Sequence, residues 1–279
     1  MNSTPILITG MHRSGTSLVS KILMKNRINL GSYQDNNNES IYFQRLNRWI
    51  MSCLGSSWDN PLSLKNINEN DLQIIVNQLE KNIDNRLTNS VYFGFFNILL
   101  SRCFYSYNKP FGWKDPSNVF TAVVWKNIFP DLKIINLTRD PLDVSISLLN
   151  RQSLLKESDK TLFIDSLSSF IPLLSISKGN ILSSFNLSSI DDCLILYKKY
   201  LIEMESNNKI FGSNILNIKY KNLLEYPEAE LMKIYKFCKI KPDNIKTTIK
   251  DIDCNNLNKY IYENYSYNEN LLDELIIDF

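Results

Sequence analysis

Three cations, one carboxylate and several small hydroxyl-bearing residues are spaced along this chain in a way that suits phosphate-like anions. The densest cluster is Gly10-Met11-His12-Arg13-Ser14-Gly15-Thr16-Ser17. Glycines on both sides of the turn let the backbone approach a ligand closely, and Gly15, Thr16 and Ser17 stand where the first N–H groups of a helix lack intrahelical partners. Those groups and the positive end of the helix dipole favour an anion, most naturally a phosphate. The spacing Gly10-x-x-x-x-Gly15 is that of a nucleotide phosphate loop, yet the ATP-binding form needs Lys after the second glycine, where this chain has Thr16. The cation lies inside the turn instead, at Arg13.

A second cluster runs from Arg139-Asp140-Pro141 to Ser147. The planar fork of an arginine offers two hydrogen bonds to phosphate oxygens, and a Ser eight residues on lies about two helical turns away. The two meet one ligand group only if the Arg side chain folds along the helix. Between the clusters stand Glu39, near the start of a helical pattern, and Lys114, in Lys114-Asp115-Pro116. Capping, worth about 0.3–1 kcal/mol when exposed, is the plain structural reading of Glu39. That of Lys114 is a surface charge at a helix start, which the helix dipole disfavours.

The elements that position these groups follow from hydrophobic spacing. Pro5 opens a short apolar run, Ile6 to Ile8, which predicts a covered strand ended by Thr9 and Gly10, and Leu18, Val19, Ile22 and Leu23 predict a helix beginning at Thr16. A polar loop over 29–40 precedes a helix marked by Ile41, Phe43, Leu46, Trp49 and Ile50. Leu72, Ile75, Val76, Leu79 and Ile83 mark another, and the aromatic-rich stretch 91–107 is expected as core against one face of the sheet. Further on come a helix over 118–129, a Pro130-Asp131 turn, a strand over 133–137 and a helix opened by Pro141. Residues 153–159 and 183–189 read as surface loops, and Leu194, Tyr197, Tyr200, Leu201 and Met204 as a helix. The alternation over 214–220 predicts a strand near the sheet edge, followed by a helix over 229–238.

A chain of 279 residues with 44% hydrophobic content is globular and long enough for one large α/β domain over 1–279. A net charge of +2, without a Lys/Arg block interleaved with aromatics, argues against nucleic-acid binding. The first strand starts too soon after Met1 for a signal peptide, and the longest apolar run, 91–100, is about half of a bilayer crossing, so a cytoplasmic protein is expected. Five widely spaced cysteines without a C-x-x-C pair predict buried thiols rather than a disulfide framework or a zinc site.

Strand-GMHRSGTS resembles the phosphate-binding loop of sulfotransferases that use 3′-phosphoadenosine 5′-phosphosulfate (PAPS), and Arg139 with Ser147 matches that family's 3′-phosphate motif. Lys114-Asp115-Pro116 before a helix ending in Phe129-Pro130, and Glu39 seven residues before Leu46-Asn47, are similar to two further family segments. Tyr220, with Asn222-Leu223 and a Pro-Glu helix start, is similar to a third, although Lys221 and Asn222 replace two acids there. The resemblance implies a P-loop NTPase-like three-layer α/β fold, a central parallel sheet flanked by helices, with ligands at the carboxyl ends of the strands. It implies transfer of a sulfuryl group from PAPS to an acceptor hydroxyl, of a saccharide or another compound, releasing adenosine 3′,5′-bisphosphate and needing no metal.

In that reading Ser14, Gly15, Thr16 and Ser17 hold the 5′-phosphate, Arg139 and Ser147 the 3′-phosphate, and Tyr220 contacts adenine. Arg13 and Lys114 face the sulfuryl group, and Glu39 takes the acceptor proton. The family's small-molecule branch uses a histidine well downstream of the loop, whereas the one histidine here is His12, so the resemblance is closest to the carbohydrate and tyrosyl-protein branches with a carboxylate base. The tail lacks the Arg-Lys-Gly loop of the cytosolic branch, leaving Lys259 or nothing from it for the cofactor. Two rivals stand beside this reading: a nucleotide or small-molecule kinase, and an inactive family member that binds nucleotide without turnover.

Overall fold

The strand-forming runs at 6–8 and 134–135 are short and apolar on both faces, as parallel strands covered by helices must be, whereas the run at 215–219 alternates and is only partly covered. The computed structural model describes residues 4–64, 67–94, 104–165, 184, 186–242, 244–250, 252–253, 260 and 262–275; Lys259, Cys103 and Cys254 lie outside them. In chain order the elements are β1 (Ile6–Gly10), α1 (Thr16–Lys25), α2 (Ile41–Ser52), α3 (Glu69–Asp84), α4 (Arg86–Phe93), β2 (Gly112–Lys114) and α5 (Asn118–Ile128). Then follow β3 (Lys133–Thr138), α6 (Pro141–Asp165), α7 (Ile190–Phe211), β4 (Ile215–Lys219), α8 (Tyr220–Glu225), α9 (Pro227–Cys238), α10 (Ile245–Lys250) and α11 (Glu269–Asp273).

The four strands form one parallel sheet in the order β2-β1-β3-β4. The chain leaves β1 for β2 on one side and then passes to β3 on the other, so the order reverses at β1, where open α/β sheets bind ligands beyond their carboxyl ends. Alternation sorts the side chains into two layers. Leu7, Trp113 and Ile134 face α2 to α5, with Phe43 stacked on Trp113 at 3.8 Å, whereas Ile6, Ile8, Ile135, Leu137 and Ile218 face α1, α8 and α9. A third cluster joins α6 and α7. This is the expected three-layer α/β arrangement.

Several expectations are corrected. β2 was not legible: its three residues are too few to show a period. Residues 153–159 lie within α6 instead of a loop, because Leu, Lys and Glu without Gly or Pro are helix formers whatever their charge. Of the described cysteines Cys193 is buried, but Cys53 is exposed. Among the described residues no helix is long and apolar enough to cross a membrane.

Candidate active site

Each strand delivers one of the singled-out side chains to the same edge of the sheet. Arg13 follows the end of β1 by three residues, Lys114 is the last residue of β2, and Arg139 and Tyr220 come immediately after β3 and β4. The loop after β1 closes through Ser14 N donating to Met11 O at 3.1 Å, with Arg13 at φ 71° and Gly15 at φ 96°, both in the left-handed region. Gly15 is required twice over, since a Cβ there would also lie 2.3 Å from Tyr220 Cδ2. No side chain caps α1, so its first N–H groups remain for a ligand. The loop hydroxyls are less available: Ser14 is buried with Oγ unpartnered, and Ser17 Oγ donates to Asn37 O at 2.8 Å.

Arg139 folds back along the first turn of α6, donating from Nε and Nη2 to Asp143 Oδ2 at 3.1 and 2.8 Å. Its guanidinium lies over the Tyr220 ring, 4.9 Å from the centroid, and Nη1 donates to Arg13 O at 3.4 Å. Tyr197 fixes the backbone from beneath by donating to Arg139 O at 2.6 Å, and Tyr262 donates to Asp143 Oδ1 at 3.1 Å. Arg13 Nε in turn donates to Ser147 Oγ at 2.9 Å, so the two anion-binding clusters touch.

Glu39 and Lys114, neither a cap nor a surface charge, are buried together. Lys114 Nζ donates to Glu39 Oε1 at 2.9 Å with the side chains 1% and 3% exposed, and Gln44 Nε2 donates to Glu39 Oε2 at 2.8 Å. The loop before α2 is shaped for this by Asp35 Oδ1, which accepts from Asn37 N and Glu39 N. Next to Lys114, Asp115 accepts from Asn47 Nδ2 and from Ser117 N, each at 2.8 Å. Asn47 also bonds Asn118, Thr121 and Trp125, pinning α2 to α5. Burial, with the Glu39 charge beside it, pushes Asp115 up to about 7.

A cleft of about 240 Å³ is lined by Arg13, Gly15, Thr16, Ser17, Glu39, Lys114, Arg139, Ser147 and Tyr220. Of the singled-out residues, only Ser14 stands behind its wall. A second cavity of about 310 Å³, within the size range of small-molecule sites, is lined by Gln44, Arg48, Met51, Ser56, Trp58, Asp115 and Ser117. Glu39 and His12 belong to both. His12 is buried, meets Trp58 edge-on at 4.8 Å, and has Nε2 without a partner. Burial first, then Arg151, Lys114 and Arg13, hold its pKa well below the usual histidine value, so it is neutral.

Sequence reasoning missed His12, Asp115 and Arg151 as site residues. For Arg151 a signal existed, because four residues beyond Ser147 is the same helix face. His12 gave none beyond its place in the loop.

The model of the sulfotransferase family matches residues 5–244. Sulfotransferase STF1 from Mycobacterium tuberculosis is similar in structure at 12% identity and TM-score 0.49, over 98% of this chain and 76% of its own. The sulfotransferase domain of the Synechococcus olefin synthase is similar at 16% identity and TM-score 0.47, over 99% and 97%. A mouse sulfotransferase complexed with PAP is similar at 11% identity and TM-score 0.43, over 98% and 74%. The curated proteins contain no match.

Proposed function

The chain belongs to the sulfotransferase family, and on that premise we propose that it acts as a single domain moving a sulfuryl group from PAPS to an acceptor hydroxyl, releasing adenosine 3′,5′-bisphosphate. The observation that carries the proposal is the pair of cavities meeting at Glu39, one walled by Arg13, Lys114 and Arg139 and the other by Trp58 and polar side chains. The first has the charge for a donor with anionic groups at both ends. The second has the size for the part of an acceptor that carries the hydroxyl.

The residues fit the donor. A loop that a Cβ at Gly15 would fill, with free first-turn N–H groups of Gly15, Thr16 and Ser17 above Ser14, suits the 5′-phosphate. Arg139 and Ser147 are the groups for the 3′-phosphate, and the Tyr220 face is the surface for adenine. In the reaction the acceptor oxygen forms a bond to sulfur as the bond from sulfur to the phosphate oxygen breaks, and the leaving oxygen keeps the electron pair. Arg13 and Lys114 stabilise the charge growing there, and Glu39 takes the acceptor proton. As in phosphoryl transfer, the protein supplies mainly position and charge. A carboxylate in the base position and an acceptor cavity holding Trp58 beside serines lean towards a saccharide or a peptidyl tyrosine. The free thiols of Cys53, Cys193 and Cys238 suit a reducing, cytoplasmic setting.

Calorimetry tests the donor. Adenosine 3′,5′-bisphosphate is expected to bind and ATP with magnesium is not; the reverse preference would make the kinase rival correct. Arg139→Ala is expected to weaken PAPS far more than adenosine 5′-phosphosulfate, which has no 3′-phosphate. Equal losses would remove the 3′-phosphate role from Arg139.

A further inference from the structure

His12 lines both the donor cleft and the second cavity, as Glu39 does. It is firmly held there. Ser14 N donates to Met11 O at 3.1 Å across it, and its ring meets Trp58 edge-on at 4.8 Å and Tyr200 at 6.2 Å. His12 is 4% exposed, and its Nε2 has no hydrogen-bond partner among the described residues. A buried polar atom left unmet is costly, and a phenylalanine would pack on the same two rings without that cost. The nitrogen therefore has a use. Because burial and the neighbouring Arg151, Lys114 and Arg13 keep the ring neutral, Nε2 is a bare lone pair or a neutral N–H, not one more cation for the donor.

Geometry and valence decide what it meets. The reacting hydroxyl has a single proton, which goes to Glu39, so it has none left for a bare Nε2. An Nε2–H aimed at that oxygen would hold the electron pair that must go to sulfur. The sulfuryl oxygens face Arg13 and Lys114, whose charged groups are stronger donors than a neutral imidazole. A second hydroxyl beside the first meets Nε2 in either tautomer, since a hydroxyl both donates and accepts. The second cavity, about 310 Å³ with Trp58 and polar side chains in its wall, has room for a ring that carries two such groups.

Building on the sulfuryl-transfer reading, we infer that His12 is an acceptor-specificity residue whose Nε2 binds a second hydroxyl beside the one that is sulfated, so that the acceptor is a polyol of the saccharide kind and not a phenol with one hydroxyl. No covalent step involves His12. An acceptor without the second hydroxyl leaves Nε2 unmet, and a site built to hydrogen-bond a hydroxyl discriminates strongly against an analogue lacking it.

His12 is the one histidine of the chain, so protein labelled with ¹⁵N-histidine and made without a histidine tag gives a single imidazole spectrum. With the donor cleft filled by adenosine 3′,5′-bisphosphate, the probes are cis- and trans-cyclohexane-1,2-diol, cyclohexanol and 4-methylphenol. At least one diol is expected to shift the Nε2 resonance and to bind about tenfold to a hundredfold more tightly than cyclohexanol. In His12→Phe, which keeps the ring packing and removes the nitrogen, that preference should fall to the statistical factor for two hydroxyls while the melting point stays at or above that of wild type. The wild-type comparison stands even if the variant does not fold. Equal shifts and affinities with cyclohexanol or 4-methylphenol would overturn the inference, as would a resonance that no probe moves. A shift on adding PAPS alone, absent with the bisphosphate, would move His12 to the sulfuryl group and overturn it too. Failure of the wild type to bind the bisphosphate would remove the donor reading, whereas the other adverse results leave that reading intact.

Discussion

The buried pair of Glu39 and Lys114 makes the most demanding prediction, because structural and chemical roles fall on the same two atoms. Their side chains are 3% and 1% exposed and Oε1 and Nζ are 2.9 Å apart, so Glu39→Gln leaves a buried ammonium without its ion-pair partner. Breaking a buried pair from one side costs about 3–5 kcal/mol. In a chain of this size each kcal/mol moves the melting point by about 2–4 °C, so a fall of roughly 6–20 °C is expected. Lys114→Met should cost a similar amount for the mirror-image reason. The double variant, which removes both charges, should recover most of the loss, because a buried ion pair contributes little over an apolar pair of the same shape.

Activity should not follow stability. Without Glu39 the acceptor proton has no acceptor, a loss of about 10²–10⁴-fold, and the double variant should remain as inactive as the single ones. Thermal unfolding, calorimetry with adenosine 3′,5′-bisphosphate and sulfuryl transfer from labelled PAPS to pooled glycans, peptides and phenols separate these effects in a double-mutant cycle. A double variant that regains transfer together with its melting point would sink the assignment of Glu39 as base. Single variants that melt like wild type would contradict the burial argument itself.

Arg13→Ala is expected to lose about 2.7–4 kcal/mol of transition-state stabilisation, while nucleotide affinity falls much less; unchanged turnover refutes it. Gly15→Ala places a Cβ 2.3 Å from the Tyr220 ring at φ 96°, and should cost about 1–3 kcal/mol of stability and weaken adenosine 3′,5′-bisphosphate. An unaltered melting point and affinity would show that the loop relaxes freely. Asp115 is raised from its ordinary 3.8 to about 7, so its contribution to stability is complete below about pH 4 and is lost as pH rises through 7. The stability difference between wild type and Asp115→Asn, from urea unfolding, should therefore shrink between those limits. Taking the difference cancels the opposite trend of neutral His12, and a difference that stays flat contradicts the raised value.

Much of the sheet was legible because its strands and helices carry their period locally. Ile6 to Ile8, the Lys133 strand and the helix through Leu72 to Ile83 each show it within a few residues. What could not be read depends on distance along the chain. Nothing in the residues around Glu39 shows that Lys114, 75 positions away, fills its carboxylate, and both therefore had ordinary surface readings. Trp58 under Arg151 and Tyr220 against Gly15 are likewise products of packing. His12 was set aside because it lies within the loop, yet burial leaves its Nε2 unpartnered at the junction of the two cavities.

The sheet explains why four residues from distant parts of the chain suit a single elongated ligand. Register pairs Thr138 with Lys219, so Arg139 and Tyr220 are the next pair along and meet as cation and ring. Gly10 is paired with Leu137 and Ile8 with Lys114, which brings the loop of Arg13 between the ends of β2 and β3. Neighbouring strands lie about 4.8 Å apart, so the three steps from β2 to β4 span about 14 Å. Along that line the groups come in the order Lys114, Arg13, Arg139, Tyr220. In the proposed reading, a donor laid across the strand ends would put its sulfuryl group over β2 and β1, beside Glu39 and the second cavity, and its 3′-phosphate and base over β3 and β4. Cations set by strand ends instead of long loops need little reorganisation when charge develops, which is the condition under which such groups accelerate a transfer most.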